Sequence, residues 1–359
     1  MLGAFAHIIA AAMALAAGNG RAEIVFAGDA MQHQRQLDAA RAGNNTYDYS
    51  QCFADIAPWV KSADYAVVNL ETTLADKGFT GYPCFCSPYS FADALKEAGF
   101  DLLLNGNNHT LDRRDAGLVR TIDYLDSINV DHTGTYRNSA ERAARVPLIR
   151  DIRGIKVAFL NYTFCTNGLK VQGAPVVDYT DRDLIRRDVD AARKAGAEIV
   201  TVIPHWGTEY RLLPDAWQKS MADFLLSLDV DMIIGGHPHV IQPMTFRTDA
   251  NGRRRLLVYS LGNFISGMRT TDTRGAAMLR TYLSRDKQGK ARVDSAEYRL
   301  IYTVPGTSPQ NNYRLVFIDE NTDIAAATGA RAASCRSFVT NATRIFNTHN
   351  IEVPRHTTD

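Results

Sequence analysis

Asp231-Met232-Ile233-Ile234-Gly235-Gly236-His237-Pro238-His239-Val240 reads as a buried strand, a tight glycine turn and two histidines two residues apart. Four other apolar runs end in the same way. Ile24-Val25-Phe26-Ala27-Gly28 leads into Asp29, and Tyr65-Ala66-Val67-Val68 into Asn69 and Glu71. Leu102-Leu103-Leu104 leads toward Asn108 and His109, and Ile199-Val200-Thr201-Val202-Ile203 into His205. Short apolar runs bounded by turn residues are the pattern of strands buried on both faces. Open α/β sheets collect ligands in one crevice at the carboxyl ends of their strands. Five such ends point to one metal site.

Working outward, the runs alternate with stretches of helical period. Helices are expected over 51–61, 90–99, 115–129, 181–195 and 214–228, the last with Trp217, Phe224 and Leu225 inward. A hairpin is expected where 146–149 and 155–161 flank Arg153-Gly154. Beyond Asn263 the pattern becomes antiparallel, with strands over 278–283 and 298–304. Strands alternating with helices, followed by paired strands, predict an α/β sandwich of mixed β-sheets flanked by helices. The polar stretch 32–49 reads as a surface loop beside the site. Residues 306–359 read as a C-terminal extension with one strand near 315–317 and one helix near 332–346. Gly235-Gly236 is a turn, with no dinucleotide fingerprint around it.

The chain has 359 residues, 45% hydrophobic and 22% charged, the composition of an ordinary globular protein. Lys plus Arg (40) nearly balances Asp plus Glu (39). With no basic excess, no helix-turn-helix and no aromatic stacking pattern, nucleic acid is excluded as the main partner. Residues 1–22 read as a secretory signal peptide, although His7 is the one basic side chain ahead of the apolar segment. The implied location is exported, either periplasmic or associated with the cell envelope. The metal-bearing domain then covers 23–305. Five cysteines, Cys52, Cys84, Cys86, Cys165 and Cys335, fit an oxidising compartment. A disulfide from Cys52 to Cys84 or Cys86 is the expected pairing, with a Cys84/Cys86 metal clip as the other reading.

Asp29, Glu71, Asn108, His205, His237 and His239 offer oxygen and nitrogen donors only, which suit Mn, Zn or Fe. Six are too many for one tetrahedral zinc with an open position. They suit two divalent metal ions sharing a carboxylate, for which Glu71 is the candidate. Two ions bring +4 and two carboxylates remove 2, so the remaining charge favours an anionic substrate. Ions of this kind lower the pKa of water from 15.7 to about 7, so hydrolysis then needs only an acid for the leaving group. His109, beside Asn108, is placed for that role.

Gly28-Asp29, Asn69-Leu70-Glu71, Gly106-Asn107-Asn108-His109 with Leu111-Asp112, His205-Trp206-Gly207 with Glu209-Tyr210, Gly236-His237-Pro238-His239-Val240 with Gln242-Pro243, and Ser260-Leu261-Gly262-Asn263-Phe264 stand in this order over residues 28 to 264. Together they resemble the capsule-synthesis CapA family, also described as poly-gamma-glutamate biosynthesis proteins, within the calcineurin-like metallophosphatase superfamily. The resemblance implies a calcineurin-like sandwich, and a role in capsule or poly-gamma-glutamate synthesis beside an anionic polymer and other synthesis proteins. Two departures stand out. Met31 occupies the place where the superfamily usually has a histidine after the first Asp, with His33 as a substitute or a solvated side chain. Thr110 occupies the place of an acid after His109, leaving Asp112 to orient His109 or to cap a helix. Arg113 and Arg114 are either anion-binding or solvated. Three functions remain in view: a two-metal hydrolase of a phosphate ester or similar bond, a polymer-assembly component without turnover, and a nucleotidase-like phosphatase unrelated to capsule.

Overall fold

The computed structural model describes residues 21–44, 46–249 and 252–357. The expected signal peptide lies outside the described residues except for Arg21 and Ala22. Among the described residues no helix is long and apolar enough to cross a membrane.

Ala22–Ala30 is an apolar strand without alternation because it is covered on both faces. It runs parallel to Tyr65–Leu70 and antiparallel to Gly275–Arg285. The sheet around it has seven strands, in the order Arg314–Phe317, Ala291–Val304, Gly275–Arg285, Ala22–Ala30, Tyr65–Leu70, Leu102–Leu104 and Asp131–Thr133. Its last four strands are mutually parallel. A second sheet has six, in the order Leu148–Ile152, Ile155–Thr163, Ile199–His205, Met232–Ile234, Arg254–Val258 and Met244–Thr248. Here the four central strands are parallel and the two edge strands antiparallel.

Alternate residues of each strand go to different cores. Ile24, Phe26, Val67 and Leu104 of the first sheet meet Val157, Phe159, Ile203 and Ile234 of the second in a shared inter-sheet core. Val25, Val68 and Leu103 face outward against Phe91, Leu95 and Leu125 of covering helices. Val200, Val202 and Ile233 do the same against Ile185, Val189, Met221 and Leu225. The result is the α/β sandwich of mixed sheets expected: helix, sheet, sheet, helix. Both sets of parallel strands end on the same side.

Helix ends follow the sequence closely. Asp181 caps Arg182–Lys194 by accepting 2.7 Å from Leu184 N–H, and Gly196, at φ +89°, closes the turn beyond it. Arg153 and Gly154 both take positive φ, the turn expected between Leu148–Ile152 and Ile155–Thr163.

Three expectations need correction. Part of 32–49 is the helix Gln34–Ala40, followed by a small hairpin of Arg41–Gly43 with Thr46–Tyr47. Its polar residues serve the backbone: Gln36 accepts 2.8 Å from His33 N–H and donates 3.0 Å to the Met31 carbonyl, while Leu37, Ala39 and Ala40 are buried. Trp217 faces solvent, 42% exposed, because it stands in the first turn of Ala216–Ser227; Met221, Ala222 and Leu225 hold the inward face. The cysteines are all free, with Cys52 in the outer core and Cys84 exposed. Beyond residue 305, Arg314–Phe317 extends the first sheet. The helix Ala332–His349 sends Cys335, Phe338, Ala342, Ile345 and Phe346 into the inter-sheet core.

Candidate metal centre

The turn after Met232–Ile234 is built for close approach. A Cβ on Gly235 would stand 2.2 Å from the Tyr259 carbonyl and 2.4 Å from the Trp206 indole nitrogen. One on Gly236 would stand 2.9 Å from Asp29 Oδ1. Beyond it His237 and His239 both take left-handed backbone, at φ +98° and +57°. Such conformations cost on the order of 1–3 kcal/mol each and persist where surroundings enforce them. Asp29 Oδ2 does so by accepting 3.2 Å from His237 N–H, and Trp206 N–H donates 3.0 Å to the Gly236 carbonyl.

Asp29 is fully buried. Its Oδ1 accepts 2.8 Å from Asn69 Nδ2, and its Oδ2 lies 3.4 Å from His239 Nδ1. Burial, the largest influence, pushes its pKa up, but the His239 hydrogen bond, the charges of His205 and His239, and Asn69 together hold it well below the usual carboxylate range. Glu71 is also fully buried. Its Oε1 lies 3.6 Å from His205 Nε2, 3.9 Å from His239 Nε2 and 4.0 Å from His109 Nε2. That oxygen has no hydrogen-bond partner among the described residues.

Asn108 Oδ1 accepts 2.8 Å from His205 Nε2, and His237 Nδ1 lies 3.2 Å from the same nitrogen. His237 is pushed well below the ordinary imidazole value, first by burial and then by the neighbouring His205 and His239. His239 is pushed up to about 9: burial opposes this, but Glu71, Asp29 and Glu209 outweigh it. Three overlapping donor groups have atoms within 4.8 Å of one another: Asp29/Glu71/His239, Glu71/His205/His237 and Glu209/His237/His239. Glu71 is common to the first two.

His109 stands at the rim of this cluster. Its Nδ1–H donates 2.8 Å to Asp112 Oδ2, which also accepts 2.5 Å from Phe85 N–H. An ionised carboxylate only accepts, so the ring's proton sits on Nδ1 and Nε2 faces Glu71. Asp112 therefore orients His109, and the cap position of Arg114–Ser127 falls to Arg113. Arg113 is used locally, donating 2.8 Å to the Gly78 carbonyl and 2.7 Å to Thr80 Oγ1.

All eight singled-out residues thus meet on one side of the sandwich. Met31 is buried and His33 packs edge-on against Phe85 at 5.1 Å while accepting 3.2 Å from Gly267 N–H. Burial, the dominant influence, together with the positive fields of His239 and His109, lowers His33 to about 4. Sequence reading gave no role to the buried amides Asn69, Asn107, Asn161 and Asn263. Asn263 Oδ1 lies 3.0 Å from His239 Nδ1, and Asn107 Nδ2 donates 3.1 Å to Asn69 Oδ1. Asn161 ties Gly106 to the second sheet, accepting 2.6 Å from Gly106 N–H and donating 2.9 Å to the Ile203 carbonyl.

The sequence profile of the bacterial capsule synthesis protein PGA_cap family matches residues 23–268, and the chain belongs to that family. It is 28% identical over 254 residues to the capsule biosynthesis protein CapA of Bacillus anthracis, covering 67% of this chain and 59% of that protein. It is 25% identical over 285 residues to the PGA biosynthesis protein CapA of Bacillus subtilis, covering 75% and 69%. The chain thus spans about 59% of the first relative's length. Among solved structures, a candidate 5′-nucleotidase from Staphylococcus aureus bound to α-ketoglutarate superimposes with a TM-score of 0.50 at 14% identity. The match covers 89% of this chain and 58% of that one, and it shows the shared fold.

Proposed function

We propose that this member of the capsule synthesis family is an exported, metal-dependent hydrolase-type protein of capsule or poly-gamma-glutamate assembly, with two divalent ions at its centre. One observation carries the reading: Glu71 Oε1, buried and without a hydrogen-bond partner among the described residues, lies within 4.0 Å of nitrogens on three histidines. An ionised oxygen left so costs several kcal/mol unless a cation meets it. The donor set fits Mn, Zn or Fe, being oxygen and nitrogen throughout.

Asp29, Glu71 and His239 would hold one ion, and Glu71, Asn108, His205 and His237 the other. Ions there supply a water nucleophile near neutral pH and offset negative charge on the substrate. The protein's own part is positioning and proton delivery. Asp112 holds the His109 ring with Nε2 toward the centre; as an imidazolium, with Nδ1–H kept on Asp112, the ring passes its second proton from Nε2 to the leaving oxygen. Phe85, packed edge-on against His109 at 4.6 Å, screens the pair from water. Two carboxylates against +4 leave a positive centre, so the substrate is anionic. Export rests on the leader-like residues 1–22. The metal-bearing domain of 23–305 is completed by 306–359, which share its sheet and core, and the partners are the anionic polymer and other synthesis proteins.

The test is metal analysis of protein purified without chelators, followed by phosphodiester and phosphomonoester assays with added Mn or Zn. His109→Ala should keep its metal and lose about 10²- to 10⁴-fold in rate, the usual worth of a general acid. Asn108→Ala and His237→Ala should lose both metal and rate. Native protein without divalent metal ends this reading. A second reading, assembly without turnover, draws on Met31, an apolar side chain beside Asp29 where a further ligand would stand. Full polymer production by a His109→Ala/His239→Ala double variant would favour it.

A further inference from the structure

Glu209 belongs to neither of the two donor groups that share Glu71, yet it forms a third with His237 and His239. Its Oε1 lies 4.0 Å from His239 Nε2, and its side chain is 41% exposed, at the mouth of the centre. The loop that carries it is held against the histidine turn along its length. Trp206 N–H donates 3.0 Å to the Gly236 carbonyl and Tyr210 N–H donates 2.8 Å to the Pro238 carbonyl, so residues 206–210 run beside 236–238. Gly207, at φ +93°, and Tyr210, at φ +65°, make the two turns that this path requires. At Gly207 a side chain would also collide with Gln218, 2.4 Å from the would-be Cβ. Glu209 is therefore placed by backbone on both sides.

The donor count gives it a use. Asp29, Glu71 and His239 give one ion three protein donors, while Glu71, Asn108, His205 and His237 give the other four, so the first has the emptier shell. Met31 and its thioether offer a hard divalent ion little. A carboxylate at the mouth of a centre that attracts anions would repel the substrate unless a cation neutralised it. Resting on the metal reading above, we propose that Glu209 is a metal ligand at the solvent-facing side of the centre, added beside His237 and His239. It lowers the centre's net charge from +2 to +1 and leaves the remaining positive charge toward Asn108 and His109.

The test uses metal-stripped full-length protein, titrated with Mn²⁺ by calorimetry, and the visible spectrum of the Co²⁺-loaded form. Glu209→Gln keeps size and exposure, so the metal-free variant should fold as the native chain does, by circular dichroism. Its weaker Mn²⁺ binding step should lose about 10- to 100-fold in affinity, the range seen when a metal site loses a supporting group. The Co²⁺ bands should shift with the changed shell. A variant whose titration and spectrum match the native protein overturns the role of Glu209 and leaves the two-metal reading intact. If the native protein itself takes up neither ion, both fall together.

Discussion

At Gly236 a Cβ would stand 2.9 Å from Asp29 Oδ1 and 3.6 Å from His205 Nδ1. Gly236→Ala should therefore displace the Asp29 carboxylate without touching the cores. Its expected outcome is a roughly tenfold or greater loss of Mn²⁺ affinity by calorimetry, comparable to losing a supporting group. His239 carries a pH signature in the metal-free protein. Its folded pKa, about 9, lies above the ordinary 6.5, so protonation favours the native state. That contribution is full below pH 6.5 and is lost as pH rises through about 9. The melting temperature of metal-free protein should fall over this window, and His239→Gln should flatten the fall. Asp29 acts oppositely: its lowered pKa adds stability above about pH 4 that is lost on acidification. The histidine pair and the carboxylates were legible in the sequence because each follows an apolar run. The orienting roles of Asn263 and Asn107 were not, since an amide has no spacing rule and its partner is set by the fold.

The helix Ala216–Ser227 shows how an element reaches the site from outside it. Asp215 Oδ1 accepts 2.8 Å from Gln218 N–H, and Gln218 Oε1 accepts 3.1 Å from Asp215 N–H, a reciprocal cap. Gln218 Nε2 also donates 2.8 Å to Gln242 Oε1, and its amide packs under Gly207. Asp215→Ala should cost about 1 kcal/mol by denaturant unfolding, the usual worth of a helix cap. Capped helices and glycine-ended strands were readable because their stop signals are local. The helix Gln34–Ala40 was not: a polar run gives no period, and Gln36 bonds backbone that only the folded chain brings near.

Across the molecule, two sets of four parallel strands deliver their carboxyl ends to one place, and the inter-sheet core holds them there. The C-terminal helix belongs to that core. Phe338 is fully buried, and Gly275 approaches its ring so closely that a Cβ there would lie 2.2 Å away. Phe338→Ala should cost about 3–5 kcal/mol, the range for emptying a buried aromatic site, measured by denaturant unfolding. The sheet class was readable from alternation of strands and helices. That residues beyond 305 pack into the same core was not, because a single strand and helix do not announce their partner. Everything functional rests on Glu71 standing between two cations. Anomalous diffraction from crystals soaked in Mn²⁺ tests this directly. Two peaks about 3.5–4 Å apart, one on each side of Glu71 Oε1, are the predicted result; a map with no peak there, or with metal bound only elsewhere, would contradict it.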